Sequence, residues 1–151
     1  MRFQAKIGKL KSDLSILNLP HFMETSYFLA KLFGAVLFAV GLGLVFNQKY
    51  YQKLFKDVIK NGELLFISGW IALPAGIALV TSHNVWDGPW WVTLLTVLGW
   101  AILFKGVMLF VAPEWMQEVG KSWVKNKTLL PWIGLFYLAV GVILGYYGFF
   151  Y

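Results

Sequence analysis

The sequence has no cysteine, which excludes disulfide bridges, thiolate metal sites and cysteine nucleophiles. Charged residues make up only 13% of the chain, about half the usual fraction of a soluble domain. All seven acidic residues lie outside the long apolar stretches, so a carboxylate-based proton or cation antiporter has no obvious machinery. No Ser–His–Asp set, phosphate-binding loop or cluster of metal ligands can be found. We therefore expect a protein that is not an enzyme and that needs no metal or other cofactor.

Long apolar runs are abundant instead, at residues 27–46, 64–82, 90–112 and 129–151. Each is near the roughly 20 residues that a helix needs to cross about 30 Å of hydrocarbon. Backbone polar groups in lipid must be satisfied within the protein, and a helix achieves this in a run of that length. The core of a soluble domain explains one such run but not four in 151 residues. The predicted fold is all-α, a polytopic membrane protein with four transmembrane helices.

Residues 1–26 lack the apolar core of a signal peptide and carry four basic residues between Arg2 and Lys11. Modest apolar periodicity over 12–22 is compatible with a helix on the membrane surface, and a flexible tail is the alternative. We treat residues 1–26 as a basic N-terminal tail.

The chain matches itself without a gap when it is shifted by 65 residues. Residues 27–82 and 92–147 share 14 identities over 56 positions, and these include polar loop residues as well as apolar ones. We therefore predict two tandem repeats, 27–82 and 92–151, joined by an inter-repeat loop at 83–91. Because each repeat holds two spans, both copies insert the same way, and a pseudo-two-fold axis runs along the membrane normal.

Each predicted span contains two glycines that are seven residues apart, which places them on one face of the helix. Helices in lipid associate through close packing at small residues, and room for a ligand or lipid is the alternative use of such a face. We predict helix packing at Gly34, Gly41, Gly69, Gly76, Gly99, Gly106, Gly134 and Gly141. Pro74 has Ala139 as its repeat partner, so a kink is expected in one copy only.

The segments 49–61 and 114–126 are predicted to be amphipathic helices that lie in the membrane interface, with aromatic side chains at headgroup depth. They serve either as anchoring connectors or as a basic surface that recruits anionic lipid headgroups or an acidic partner. The connectors 47–63 and 113–128 hold seven lysines, which favours a cytoplasmic position for them and places both termini on the opposite side.

The loop SHNVWDGPWW at 82–91 contains the only His and Asp that are close in sequence, and His83, Trp86 and Asp87 are candidate ligand or lipid residues. One His and one Asp are too few for a convincing metal site. The letters DGP are also ordinary turn chemistry, and paired tryptophans are ordinary interface anchors. The loop is therefore either an anchored turn or a proton or ligand site.

Lys105 lies inside the third apolar run, although a charge at the bilayer centre costs about 3 kcal/mol. Val111 follows it by six residues, so the end of the span is about 9 Å away. Lys105 either snorkels towards the headgroups or Glu63, or it binds an anion or a lipid headgroup in a crevice of the bundle.

Three short patterns occur together in this sequence. They are a Gly–Pro–Trp step at the end of the third span, an HN.W loop and a T..GW...KG stretch. They are formed by Gly106, Pro113 and Trp115; His83, Asn84 and Trp86; and Thr96, Gly99, Trp100, Lys105 and Gly106. Over about residues 29–147 this arrangement resembles small four-helix bacterial inner-membrane proteins without an assigned activity, although Gln48 stands where a proline is expected. The resemblance implies a bacterial cytoplasmic membrane and raises interest in His83, Trp86 and Lys105.

Three functions are compatible with these features, and a structural or accessory bundle that packs with itself or a larger membrane complex is favoured. The alternative is a small oligomeric channel or transporter for an ion or small solute, and a lipid-modifying membrane enzyme ranks last. The expected partners are the lipid bilayer, including anionic headgroups, and a second copy or a membrane complex, but no nucleic acid. The residues available to line a polar lumen are Thr81, Ser82, His83, Thr93, Thr96 and Lys105.

Overall fold

The computed structural model describes residues 2–126 and 129–150, with the backbone alone described over residues 2–22. Its helices are α1 (Arg2–Phe46), α2 (Gln48–Lys60), α3 (Gly62–Ser82), α4 (Trp90–Val111), α5 (Pro113–Lys125) and α6 (Leu129–Phe150). Four stretches are long and apolar enough to cross a membrane: Met23–Phe46 of α1, and the whole of α3, α4 and α6. The all-α class and the four predicted spans are confirmed, and they are consistent with an integral membrane protein.

Helix α1 begins far earlier than the first apolar run and includes most of the predicted N-terminal tail. Its 45 residues correspond to about 68 Å at 1.5 Å per residue, more than twice the hydrocarbon thickness. Extending an existing helix adds residues without a new nucleation cost, and lysine, leucine and glutamine favour the helical state. The backbone of residues 12–22 is therefore helical, whereas its position on the membrane surface stays a prediction.

The four spans form two antiparallel pairs, α1 with α6 and α3 with α4. Within the first pair, Gly34 lies against Gly145, whereas Gly41, farther along α1, lies against Leu138, earlier in α6. Residue numbers fall along one helix as they rise along the other, so the two helices run in opposite directions.

Glycines allow the paired helices to approach to backbone contact. A Cβ on Gly34 would lie 2.5 Å from the backbone nitrogen of Gly145, and a Cβ on Gly106 would lie 2.6 Å from that of Leu73. No side chain fits at these positions unless the helices separate. Each glycine of the predicted packing set lies against the other helix of its own pair: Gly34, Gly41, Gly69, Gly76, Gly99, Gly106, Gly134 and Gly141.

Pro74 does not end the second span, because α3 continues through it from Gly62 to Ser82. A proline has no N–H, so the carbonyl of Trp70 lacks its usual donor four residues later. The expected kink at Pro74 in one copy only stays a prediction.

An apolar core joins the two helix pairs at the end where residues 83–89 connect α3 to α4. Trp91 of α4 stacks between Tyr27 and Tyr147, with ring centroids 5.4 and 5.3 Å away. These rings bring the beginnings of the α1 and α4 spans together. The buried members of this core are Leu29, Ala30, Trp91, Val92, Leu95, Val140 and Leu144.

Helices α2 and α5 lie at the opposite end of the spans and connect them in sequence. The predicted connectors 49–61 and 114–126 are thus helical, with bounds shifted by one residue at each end. They contact each other where Ile59 packs on Gly120. Val124 of α5 is buried, whereas α2 buries none of its residues.

Candidate functional site

His83 lies directly after α3 and is only 3% exposed. Its backbone N–H donates to the carbonyl of Leu79 at 2.8 Å and so ends the helix. Its Nε2 lies 2.9 Å from the hydroxyl of Ser26 on α1, and its Nδ1 lies 3.3 Å from the hydroxyl of Thr96 on α4. Both hydroxyl residues are fully buried. One imidazole therefore connects three spans.

The Thr96 hydroxyl also holds the loop that follows His83. It accepts the N–H of Val85 at 3.1 Å and donates to the carbonyl of Val85 at 2.9 Å. Because Thr96 donates to Val85, the assignment that pairs both nitrogens of a neutral ring has the Nδ1–H of His83 donating to Thr96 and Nε2 accepting from Ser26. Burial lowers the pKa of His83, and a backbone hydrogen bond opposes this only in part. Burial therefore favours the neutral imidazole.

Asn84 binds two exposed tryptophans at the surface of the same loop. Its Oδ1 accepts from the indole Nε1 of Trp86 at 2.8 Å and from that of Trp100 at 3.3 Å. An indole with an apolar body and one paired N–H suits the boundary between lipid and water. Asp87 is exposed beside them, and its carboxylate makes no hydrogen bond or ion pair within the described residues.

The predicted loop candidates consequently do not converge on one site, because His83 is directed inward whereas Trp86 and Asp87 are exposed. Among the described residues, no group of three or more His, Cys, Asp or Glu is arranged to hold a metal ion. The roles suggested for these residues stay predictions.

Lys105 is exposed on α4 next to the buried Gly106. Its neighbours Phe104 and Val107 are also exposed, so the lysine lies on an apolar outer surface of the helix. Within the part of the chain that the structure describes, Lys105 makes no ion pair, and the contact with Glu63 suggested from the sequence is not formed. Snorkelling of the Lys105 side chain towards the α5 end of the span stays a prediction.

The polar residues considered for a lumen do not share one surface. Thr81 and Ser82 are exposed, and their hydroxyls donate to carbonyls of their own helix at 2.8 and 3.3 Å. His83 and Thr96 are buried against each other instead. The single chain therefore presents no continuous polar path built from these groups.

A cavity of about 330 Å³ lies between α2 and α5. Four lysines and two aliphatic residues line it: Lys56, Ile59, Lys60, Lys121, Val124 and Lys125. The sequence identified the lysines as polar faces of two separate connectors. No pattern within either connector predicts that the two faces meet. The 65-residue shift does align the two cavity lysines of α2 with the two of α5.

Ser26 is the other functional residue that sequence reasoning missed. It lies 57 residues from His83 and inside the segment assigned to the tail, so no short-range pattern connects the two.

Comparison with protein-family models, curated proteins and solved structures finds no match for this chain. Function is accordingly inferred from the geometry of the chain itself.

Proposed function

We propose that this chain is a structural or accessory membrane protein, a bundle of two tandem repeats that packs with a second copy or a larger complex in a bacterial cytoplasmic membrane. The observation that carries this proposal is that the interior is used for helix packing. Glycines occupy the contacts between helices, and the buried polar groups bind one another.

The contacts of the glycines recur at the same 65-residue spacing as the sequence. Gly34 packs on Leu144, while its repeat partner Gly99 packs on Leu79, which is the repeat partner of Leu144. Equal contacts in both halves support an internal duplication with a pseudo-two-fold axis between the helix pairs. The same correspondence holds for Gly41 with Gly106, Gly69 with Gly134, and Gly76 with Gly141.

The polar interior also supports a structural role. Ser26, His83 and Thr96 are the buried polar side chains of the described residues, and they are bonded to each other. In the described chain, no buried side-chain nitrogen or oxygen is left without a hydrogen-bond partner. Such groups hold helices together in a medium that offers them no water.

An apolar groove of about 230 Å³ on the outer face of α1 and α6 is the surface where we place the partner helix. A Cβ on Gly145 would meet no atom within 4 Å, so the groove leaves the backbone of α6 accessible. At the position that corresponds to Ala35 the other helix pair carries Trp100, and Val80 stands where α6 has Gly145. Exposed small residues are the means by which helices associate closely in lipid. The lining residues are Gly34, Ala35, Phe38, Gly141, Val142, Gly145 and Phe149.

Replacing Gly145 by leucine tests this proposal. The bundle should fold with an unchanged Tm, because the position is open, while the oligomer or co-purifying complex seen by native mass spectrometry should be lost. Gly62→Leu is the matched control, since a Cβ there also meets no atom within 4 Å and the residue lies outside the groove. A wild-type protein that is monomeric and alone after mild extraction contradicts the proposal. Ion flux in reconstituted liposomes would favour the channel alternative.

A further inference from the structure

The cavity between α2 and α5 is formed by the same arrangement on both helices, a lysine followed at three and four residues by an aliphatic residue and a second lysine. Residues at this spacing share one helix face, so the two faces meet with their aliphatic members between their lysines. Val124 is buried and Ile59 is half-buried, whereas the lysines are exposed. The cavity therefore has an apolar floor, and four lysine side chains complete its lining.

Among the described residues, no acidic side chain lines this cavity. Asp57, Glu114 and Glu118 lie on the same two helices, but none of them is part of the lining. Among the described residues, none of the four lysines makes an ion pair. Lysines four residues apart on one helix repel each other. Here two such pairs line the same cavity, which has a volume of about 330 Å³. A bound anion removes that repulsion.

The position of the cavity indicates the kind of anion. A single residue separates α2 from the end of the first span, and a single residue separates α5 from the end of α4. Both are therefore at the same end of the spans, next to the exposed indoles of Trp115 and Trp123. The phosphates of membrane lipids lie at this depth, and basic pockets at the ends of transmembrane helices bind such headgroups.

We propose that this cavity binds the phosphate groups of an anionic phospholipid headgroup. Each helix contributes one pair of lysines, so a headgroup with two phosphates, as in cardiolipin, occupies both pairs at once. The aliphatic floor accommodates the glycerol carbons. The inference rests on the membrane placement of the chain and is independent of its structural or accessory role.

The test compares cardiolipin binding by the purified full-length protein and two double variants, measured by lipid titration in native mass spectrometry with phosphatidylcholine as the neutral reference. Lys56→Gln with Lys121→Gln removes one cavity lysine from each helix. We expect about 25-fold weaker cardiolipin binding, at about fivefold for each lysine near a membrane surface. Lys49→Gln with Lys53→Gln removes the same charge outside the cavity, and binding should change by about twofold at most.

Equal losses in the two double variants would mean a general charge effect and would overturn the proposal, as would unchanged binding in the cavity variant. Inorganic pyrophosphate tests a soluble source of the same chemistry. If it saturates the wild-type protein, displaces cardiolipin and fails to bind the cavity variant, the ligand is a free phosphate and the lipid assignment is wrong. Thermal unfolding without lipid checks that each variant is folded, and Lys60→Gln with Lys125→Gln replaces the first variant if it is not.

Discussion

The His83 imidazole receives a hydroxyl group on each nitrogen, and the two hydroxyls come from different helices. Protonating such a ring requires a charge in an apolar setting, which is costly, and its lowered pKa reflects that cost. The sequence could mark His83 only as a candidate. Its partners are 57 and 13 residues away, and the ring was as compatible with an exposed turn as with a buried connection.

We expect the bundle to lose thermal stability as the pH falls below about 6.5, the usual value for histidine. The folded pKa of His83 is lower than the unfolded one, so in this range the unfolded chain takes up the proton more readily and is favoured. Above this pH the His83 imidazole is neutral in both the folded and the unfolded chain, so its contribution to stability no longer changes with pH. His83→Gln removes this titration, so its Tm should vary less than that of the wild type between about pH 8 and pH 5. Parallel Tm curves would contradict the buried neutral ring.

Lys105→Met should fold with an unchanged or higher Tm. The side chain is exposed on an apolar surface without an ion pair in the described structure, and methionine keeps its length while removing a charge that is costly in lipid. Lys105→Arg keeps the charge and is the control. Tm and bound anionic lipid, compared among the wild type and both variants, distinguish a snorkelling lysine from one that binds a lipid headgroup. A folded Lys105→Met that loses lipid retained by Lys105→Arg would make Lys105 a binding residue.

At the scale of helices, close backbone approach makes a single methyl group decisive. Gly34→Ala should lower the free energy of unfolding by about 1–3 kcal/mol, the usual range for overpacking, because its Cβ would meet the backbone of α6. Gly145→Ala, on the other side of the same contact, has open space and should be neutral. Denaturant titration in detergent measures both. Equal effects of the two substitutions would show that the helices can separate freely.

The four candidate membrane spans were predictable because the length of an apolar run directly reflects the thickness of the bilayer. The pairing of those helices was not, since every span carries glycines at the same spacing and any two of them satisfy the pattern. The extent of α1 was missed for a different reason. Residues 2–22 have weak periodicity, and their helix continues from the neighbouring span.

The lysine cavity shows the same limit for the candidate site. Lys56 and Lys121 are 65 residues apart, and only the way in which α2 meets α5 brings their faces together. A sequence pattern determines which residues share a face of one helix, whereas the arrangement of two helices depends on contacts along the whole bundle.

At the scale of the molecule, we expect α2 and α5 to face the cytoplasm. Their side of the bundle holds seven lysines, against five basic residues near the other end. The absence of native cysteine allows single-cysteine variants without background. In intact cells a membrane-impermeant thiol reagent should label Asp87→Cys, whereas Ser122→Cys should react only after the membrane is permeabilised. The reverse pattern would invert the orientation, and labelling of both would indicate dual insertion.

Both major helix pairs join the first half of the chain to the second, because α1 lies on α6 and α3 lies on α4. A break at Gly88 would therefore leave two fragments, 1–87 and 88–151, whose glycine faces are covered only by each other. Covalent continuity is then not what holds the bundle together. The protein is in effect a tethered heterodimer, and once the tether is cut its assembly would follow mass action, with a midpoint that depends on the density of both fragments in the bilayer.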